Sequence, residues 1–319
     1  MGQIMRPKMS RLIRAAELYY ERNLSQREIA NILGTSRSKV SRLLAEAREV
    51  GIVEITINRP IEKMPELSEE IRKAFNLRDV VVVAAGETYL DSLRNVAKAA
   101  SELLLSIIER DITIGITFGQ TLYHTVQALD ETPVEGVEIV QMVGALGEGD
   151  SQIDGPEIAL RMAERLHGTY RYVHAPAVVE SQEIRDVLMQ LPQIQETMNR
   201  AANADIMIQG IGSLAEEMSS LERAGYISSE ERLMYQEQGA VGHLVAKLID
   251  GQGNEISSFN NRVVAMPFEY MRIAKWSIGV SASPLKASAV LAAIRGSYFN
   301  TLVIDDKSAH EVLHLIDSE

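Results

Sequence analysis

Two stretches of this 319-residue chain carry residue types spaced for recognition chemistry. The first is Ser36-Arg37-Ser38-Lys39-Val40-Ser41-Arg42, preceded by Ser25, Gln26 and Thr35. Short hydroxyls and amides contact phosphate oxygens and base edges, and Arg and Lys reach guanine edges or phosphate. The second is Gly115-Ile116-Thr117-Phe118-Gly119-Gln120-Thr121, where a β-branched run gives way to an amphipathic one. Free backbone N–H groups at such a helix start attract an anion, and Thr117 and Thr121 add hydroxyls. Two similar turns follow, Gly144 to Asp150 and Gly210-Ile211-Gly212-Ser213. Lys286 stands where a helix begins, so it opposes the helix dipole, and a bound phosphate is the charge it could neutralise. His243 reads as a ligand contact or as a packed histidine.

The same inventory argues against catalysis. Glu148, Asp150, Asp154 and His243 could serve as bases, but they form no ordered constellation for one reaction, so no catalytic residue is assigned. His124, His167, His174, His310 and His314 lack metal-ligand spacing. The chain has no cysteine, which excludes disulfides and thiolate sites. No metal and no other cofactor is expected. Glu216–Glu217 and Glu230–Arg232 read as solvated helix faces.

These groups need elements to hold them. Arg11 to Glu21 has helical periodicity, with Leu12, Ala15, Ala16 and Tyr19 on one face. Ser25 with Glu28 is a capping box that opens a second helix running to about Leu33. Gly34-Thr35 breaks that helix, and Ser36 caps a third that runs to about Val50, with Val40 and Leu43 facing inward. This is the pattern of a helix-turn-helix. Gly51 to Ile57 alternates as a strand, which would make the unit winged. Beyond it, apolar runs alternate with amphipathic helices. Strands are expected at Val80–Ala84, Ile112–Thr117, Val137–Val143, Tyr170–His174, Ile206–Ile211, Val263–Met266, Trp276–Ser281 and Leu302–Ile304. Their unbroken apolar character predicts an α/β fold with a doubly wound, mainly parallel sheet covered on both faces. The expected division is residues 1–57 for the DNA-binding unit, 58–65 for a linker and 66–319 for an effector-binding domain.

Charge follows the same division. Residues 1–60 hold eleven Lys and Arg against six Asp and Glu, a surplus of five cations. With a total of −12, the other 259 residues carry −17. A basic segment on an acidic body fits a DNA-binding head. No apolar run approaches the ~18 residues that span a bilayer, and no apolar stretch follows the N-terminal cations as in a signal peptide. The expected location is the cytoplasm, with no membrane partner.

The ordered motifs resemble the SorC/DeoR-type sugar-responsive regulators. They are Leu18-Tyr19-Tyr20, Leu24-Ser25-Gln26, Ile29-Ala30, Leu33-Gly34, Val40-Ser41-Arg42-Leu43-Leu44 and Gly51-Ile52-Val53. In the C-terminal part they are Gly115 to Gly119, Gly210-Ile211-Gly212, Arg223-Ala224-Gly225-Tyr226-Ile227, Gly239 to Gly242 and Leu302-Val303-Ile304-Asp305-Asp306 with Ala309. The resemblance implies a sheet domain related to sugar-phosphate isomerases but used for sensing. It implies dimers or tetramers on palindromic or repeated half-sites of double-stranded operator DNA, controlled by a sugar or sugar-phosphate effector of a carbohydrate operon. By position, Gly115 to Thr121 would join the sugar or phosphate site, and Lys286 matches the family's phosphate-contacting lysine. Gly144, Gly212 and His243 complete the expected pocket. Two departures stand out. Ala282-Ser283-Pro284 replaces glycines found in many relatives ahead of the lysine, and His243 replaces an acidic residue. An unphosphorylated sugar or polyol is therefore the alternative effector. Two further alternatives are an isomerase-like enzyme with a DNA-binding head, and a constitutive DNA-binding protein whose large domain only oligomerises.

Overall fold

The computed structural model describes residues 7–53, 60–147 and 151–318. The chain divides into two compact units, Met1–Pro60 and Ile61–Glu319.

In the first unit, α1 (Pro7–Ala16) runs into one π-helical turn, Glu17–Glu21. It is followed by α2 (Gln26–Ile32) and α3 (Arg37–Glu49). Both expected caps form: Ser25 and Glu28 make the reciprocal capping box, and the Ser36 hydroxyl accepts from the Lys39 N–H. Gly34 adopts φ +59°, and the Thr35 N–H reaches back to the Ala30 carbonyl at 2.9 Å, which closes the turn between α2 and α3. Ala15, Leu18, Ile29, Ala30, Val40 and Leu44 form the core. Burying a side chain such as Ile29 contributes roughly 1.5–3 kcal/mol. Two expectations shift by one residue. Leu18, not Tyr19, is buried, because the π-turn adds a residue and rotates the face. Leu44 is buried while Leu43 is half-buried. Ile52 and Val53 fold back onto Ala47. Glu54–Ile57, the rest of the expected wing strand, lies outside the described residues.

The second unit is built on seven parallel strands in the order β1-β10-β9-β5-β2-β3-β4. These are β1 (Asp79–Val83), β2 (Thr113–Ile116), β3 (Glu138–Gln141), β4 (Thr169–Arg171), β5 (Ile206–Gly210), β9 (Trp276–Ser281) and β10 (Thr301–Asp305). Three short strands, β6 (Gly212–Ser213), β7 (Ala240–Leu244) and β8 (Lys247–Asp250), form a separate antiparallel sheet. Helices Pro65–Ala74, Pro192–Ala202, Ala287–Arg295 and Asp306–Asp317 cover one face of the large sheet, and Tyr89–Ile107, Gln120–Gln127 and Gly155–Leu166 cover the other. Successive strand residues serve opposite cores: in β5, Ile206 and Ile208 face one cluster and Met207 the other. That is why the strands are apolar without alternation. From β2 the chain moves outward through β3 and β4, then returns to lay β5, β9 and β10 on the other side. The strand order therefore reverses between β2 and β5.

Several expectations need correction. Of the expected linker, Asn58 and Arg59 lie outside the described residues, but Ile61 to Met64 run antiparallel along the edge of β1. The Met64 N–H donates to the Val82 carbonyl and the Ala84 N–H to the Glu62 carbonyl, both at 2.8 Å. Val263–Met266 is not a sheet strand. It bridges two loops through single pairs, Val143 with Ala265 and Val178 with Val263. Arg232 is buried rather than solvated, because Glu222 at 2.7 Å and Gln236 at 3.0 Å satisfy its guanidinium. Glu216 and Glu217 are exposed on a turn, not a helix.

Ser283 holds φ +93° at the end of β9, a conformation that favours glycine. Its N–H is fixed on the Asp305 carboxylate at 2.9 Å. Replacing Ser283 by Gly should therefore raise stability by about 1 kcal/mol, the released strain exceeding the added chain entropy. Gly34→Ala should lower the stability of the small unit by about 1 kcal/mol, since the cost of positive φ has no offset. Chemical denaturation of the two variants should show opposite signs; equal signs would contradict the backbone argument.

Candidate nucleic-acid interface and effector cavity

On α3, Val40 and Leu44 point into the core, which leaves the opposite face to solvent. Arg37, Ser38, Lys39, Ser41 and Arg42 are all exposed there. Among the described residues, Arg37, Lys39 and Arg42 form no ion pair. Their charge is therefore not neutralised within the unit. The hydroxyls are less free. Ser36 Oγ accepts from the Lys39 N–H at 3.3 Å and lies 3.0 Å from Ser38 Oγ. Ser25 Oγ donates to the Glu28 carboxylate at 2.7 Å, and this bond is the main reason that carboxyl titrates below its ordinary value. Gln26 and Thr35 are half-buried at the start of α2 and in the turn.

In the large unit, a cavity of about 380 Å³ opens at the carboxyl ends of β2 and β5. This is the reversal point of the strand order, where loops leaving adjacent strands diverge and leave space. The turn after β2 supplies Thr117, Phe118, Gly119, Gln120 and Thr121, and the segment after β5 supplies Gly210, Ile211 and Gly212. Gly119 takes φ +112° as the N-cap of Gln120–Gln127, and no side chain caps that helix. Among the described residues its first N–H groups therefore carry the helix's positive end without a protein acceptor on them. His243 comes from β7, which pairs with β6 so that His243 stands opposite Gly212. A Cβ at Gly212 would lie 2.0 Å from His243 Nε2, so only glycine allows the ring to sit there.

Electrostatics set the cavity's preference. Lys286 ends the turn Pro284–Lys286 and is only 7% exposed. Burial, reinforced by the nearby Arg223 cation, lowers its ammonium to about 8, while Asp305 pulls the other way. The Asp305 carboxylate is already taken by the N–H groups of Ser283 and Ser308 and by the Ser308 hydroxyl. The Lys286 N–H donates to the Ser283 carbonyl at 3.0 Å, but its ammonium has no hydrogen-bond or ion-pair partner among the described residues. Burial, with Lys286 and Arg223 beside it, drops His243 to about 3. His243 is therefore neutral near pH 7, and its Nε2 is 3.0 Å from Ser220 Oγ. No carboxylate lines the cavity among the described residues.

Of the effector residues expected from sequence, Thr117, Phe118, Gly119, Gln120, Thr121, Gly212, His243 and Lys286 all line this one cavity. Gly115 and Gly144 do not. Gly115 lies within β2, with no room for a Cβ beside Met142, and Gly144 packs against Pro176. The lining contribution of that second loop is Leu146. The carboxylate of Asp154 holds the loop through the Leu146 N–H at 2.7 Å and the Gly147 N–H at 3.3 Å. Glu148 and Asp150 lie outside the described residues. Tyr89, Ser220, Arg223, Val245 and Ala246 join the lining without having been expected. Arg223 had a signal, its place in the Arg223-to-Ile227 motif; Ser220, Val245 and Ala246 sit in short elements without periodicity, and Tyr89 opens the long helix Tyr89–Ile107, whose pattern does not tell a lining residue from a packing one. The described residues contain no cluster of three potential metal ligands and no helix long and apolar enough to cross a membrane.

Comparison with known proteins follows this geometry. Residues 59–314 match the family described as "Putative sugar-binding domain", and residues 9–69 match a Crp-like helix-turn-helix domain. The deoxyribonucleoside regulator of Bacillus subtilis is 28% identical over 311 residues, covering 97% of this chain and 99% of that one. The transcriptional regulator LsrR of Escherichia coli K12 is 28% identical over 304 residues, with 94% and 93% covered. The crystal structure of the full-length sorbitol operon regulator SorC from Klebsiella pneumoniae superposes with a TM-score of 0.73 at 26% identity, covering 95% of this chain and 98% of that one. With a helix-turn-helix, a sugar-binding domain and relatives aligned over nearly their whole length, the chain belongs to the SorC/DeoR-type sugar-binding transcriptional regulators.

Proposed function

We propose that this regulator senses a phosphorylated sugar, or a phosphorylated sugar derivative, and controls a carbohydrate catabolic operon in the cytoplasm. One observation carries the reading: a buried lysine with no counter-ion among the described residues faces a cavity that also holds Arg223 and an uncapped helix start. An unpaired buried cation is costly, and a phosphate in the cavity would offset that cost. Backbone N–H groups at Gln120 and Thr121, with the Thr117 and Thr121 hydroxyls, would complete the anion shell. Neutral His243 and Ser220 would bind sugar hydroxyls. The candidate base Asp154 is committed to the N–H groups of its own loop, which supports binding over turnover. We assign residues 1–57 to DNA binding, 66–319 to effector binding and the few residues between to their connection.

In the head, Arg37, Ser38 and Arg42 are assigned to base edges and Lys39 to phosphate, with Ser25, Gln26, Thr35, Ser36 and Ser41 toward the backbone. A homo-oligomer, dimer or tetramer, would present paired heads to palindromic half-sites about 34 Å apart or a multiple of that. Effector binding would act by population shift, favouring one arrangement of the heads over another.

Two predictions test these assignments. Arg42→Ala should cost about 1–3 kcal/mol on the operator and relax sequence preference. Lys39→Ala should weaken all DNA equally and lower the salt slope by about one. A titration over a salt series reads both, and identical behaviour of the two variants would refute the division of roles. For the effector, calorimetry with sugar phosphates and their unphosphorylated parents should show binding of the phosphates only. Lys286→Ala should weaken binding about ten- to hundredfold, the worth of a charged hydrogen bond. Wild-type affinity should fall as pH rises through about 8, where Lys286 loses its proton. Equal binding of an unphosphorylated sugar would overturn the phosphate reading.

A further inference from the structure

Eight non-glycine residues among those described have positive φ. Five of them, Asn23, Asn76, Asp111, His167 and Ser297, are exposed and mostly of types that tolerate it. The other three gather at the cavity. Ser283 leads into Lys286, while Val245 and Ala246 are part of the lining.

Val245 at φ +46° and Ala246 at φ +63° are the two-residue link between β7 and β8, closed by the pairing of Leu244 with Lys247. Such a hairpin needs positive φ at both central residues, and Asn-Gly is the pair that adopts it with least strain. A β-branched residue there is an outlier. Yet Val245 is 2% exposed and Ala246 1%, so both are held inward. Both belong to the hydrophobic core of the large unit and also line the cavity, so the tip packs on one side and faces the ligand space on the other. Strain of this kind, buried beside a cavity, marks a site where side-chain identity matters more than turn preference. The side chains at this tip bring only methyl groups. The hydroxyls and amide that could satisfy a sugar come from the Thr117–Thr121 turn and Ser220. A ligand hydroxyl turned onto the tip would lose water and find no side-chain partner.

We propose that the Val245–Ala246 tip is the specificity-determining wall of the cavity: it takes the C–H side of the bound sugar phosphate and disfavours effectors that turn a hydroxyl toward it. This rests on the phosphorylated-sugar reading above. The test uses the full-length protein, wild type and the double variant V245N/A246G, with two probe pairs that differ by one hydroxyl. These are ribose 5-phosphate with 2-deoxyribose 5-phosphate, and glucose 6-phosphate with 2-deoxyglucose 6-phosphate. Calorimetry should show wild type preferring the deoxy member of at least one pair roughly tenfold. The variant's preference should shrink to about twofold or less. A246G alone relieves one strained residue and removes one methyl without burying a polar group. It should shrink the preference in the same direction, which keeps the test open if the double variant does not fold. A folded variant that keeps the wild-type ratios would make the tip a core turn only, and overturn the proposal. So would a wild type that prefers the hydroxylated members, with the phosphate reading intact. A wild type that binds no phosphorylated probe would instead remove that reading, and this one with it.

Discussion

A lysine ammonium held out of water, with no carboxylate in contact among the described residues, is the constraint around which the large unit is organised. Lys286 owes its position to β9, which delivers the chain to the carboxyl end of the sheet, and to the Ser283 turn, which directs it into the cavity. Asp305, at the end of the neighbouring β10, could have neutralised it by direct contact. Instead that carboxylate caps the last helix and holds the Ser283 N–H. Its charge therefore acts on Lys286 from a distance, which keeps the ammonium protonated near neutral pH while leaving its hydrogen-bond donors uncommitted. A single direct ion pair would have made the site more stable and less receptive.

Strain and desolvation are concentrated in the same place. The sheet itself largely follows local rules: alternate strand residues fill alternate cores, helices Tyr89–Ile107, Gly155–Leu166 and Asp306–Asp317 begin at Thr or Asp caps, and most positive-φ positions carry tolerant residue types. The exceptions are Ser283, Val245, Ala246 and the buried Lys286, and all of them border or lead into the cavity. A fold whose other levels agree can carry such local conflicts. The head distributes its charges differently. Its core is a handful of aliphatic side chains, and Arg37, Lys39 and Arg42 stand on the outer face of α3 without ion-pair partners among the described residues. The acidic balance of the larger unit repels a polyanion, so attraction to DNA is confined to the basic unit.

Much of this was legible from residue order. Ser25 with Glu28, Gly34 and Ser36 bound the two helices of the reader because caps and turns are made by residues adjacent in the chain. The long apolar strands were legible because burial on both faces favours apolar residues at most positions, with Gln141, Gln209 and Ser277 as buried exceptions. Short elements were not. β6 has two residues, and β7 and β8 contain a bulge, so none of them shows a period. Ile61 to Met64, with prolines at both ends, reads as a linker, yet the free edge of β1 recruits it into a strand-like pairing. Arg232 reads as solvated because its partner Glu222 lies on a different helix.

By itself, the order of residues determined most helix boundaries, the parallel sheet, the division of charge and the positions of the two polar segments after α2 and β2, since each depends on near neighbours and on periodicity. Only the tertiary structure decided which loops share a cavity. It brought Thr117, Gly212, Arg223, His243 and Lys286 around one space, left Gly115 and Gly144 out, and turned the Val245–Ala246 tip inward. The physical reason is that the reversal of strand order, not sequence proximity, determines where loops diverge. The protonation of Lys286 and His243 then depends on how completely residues distant in the chain exclude water from them.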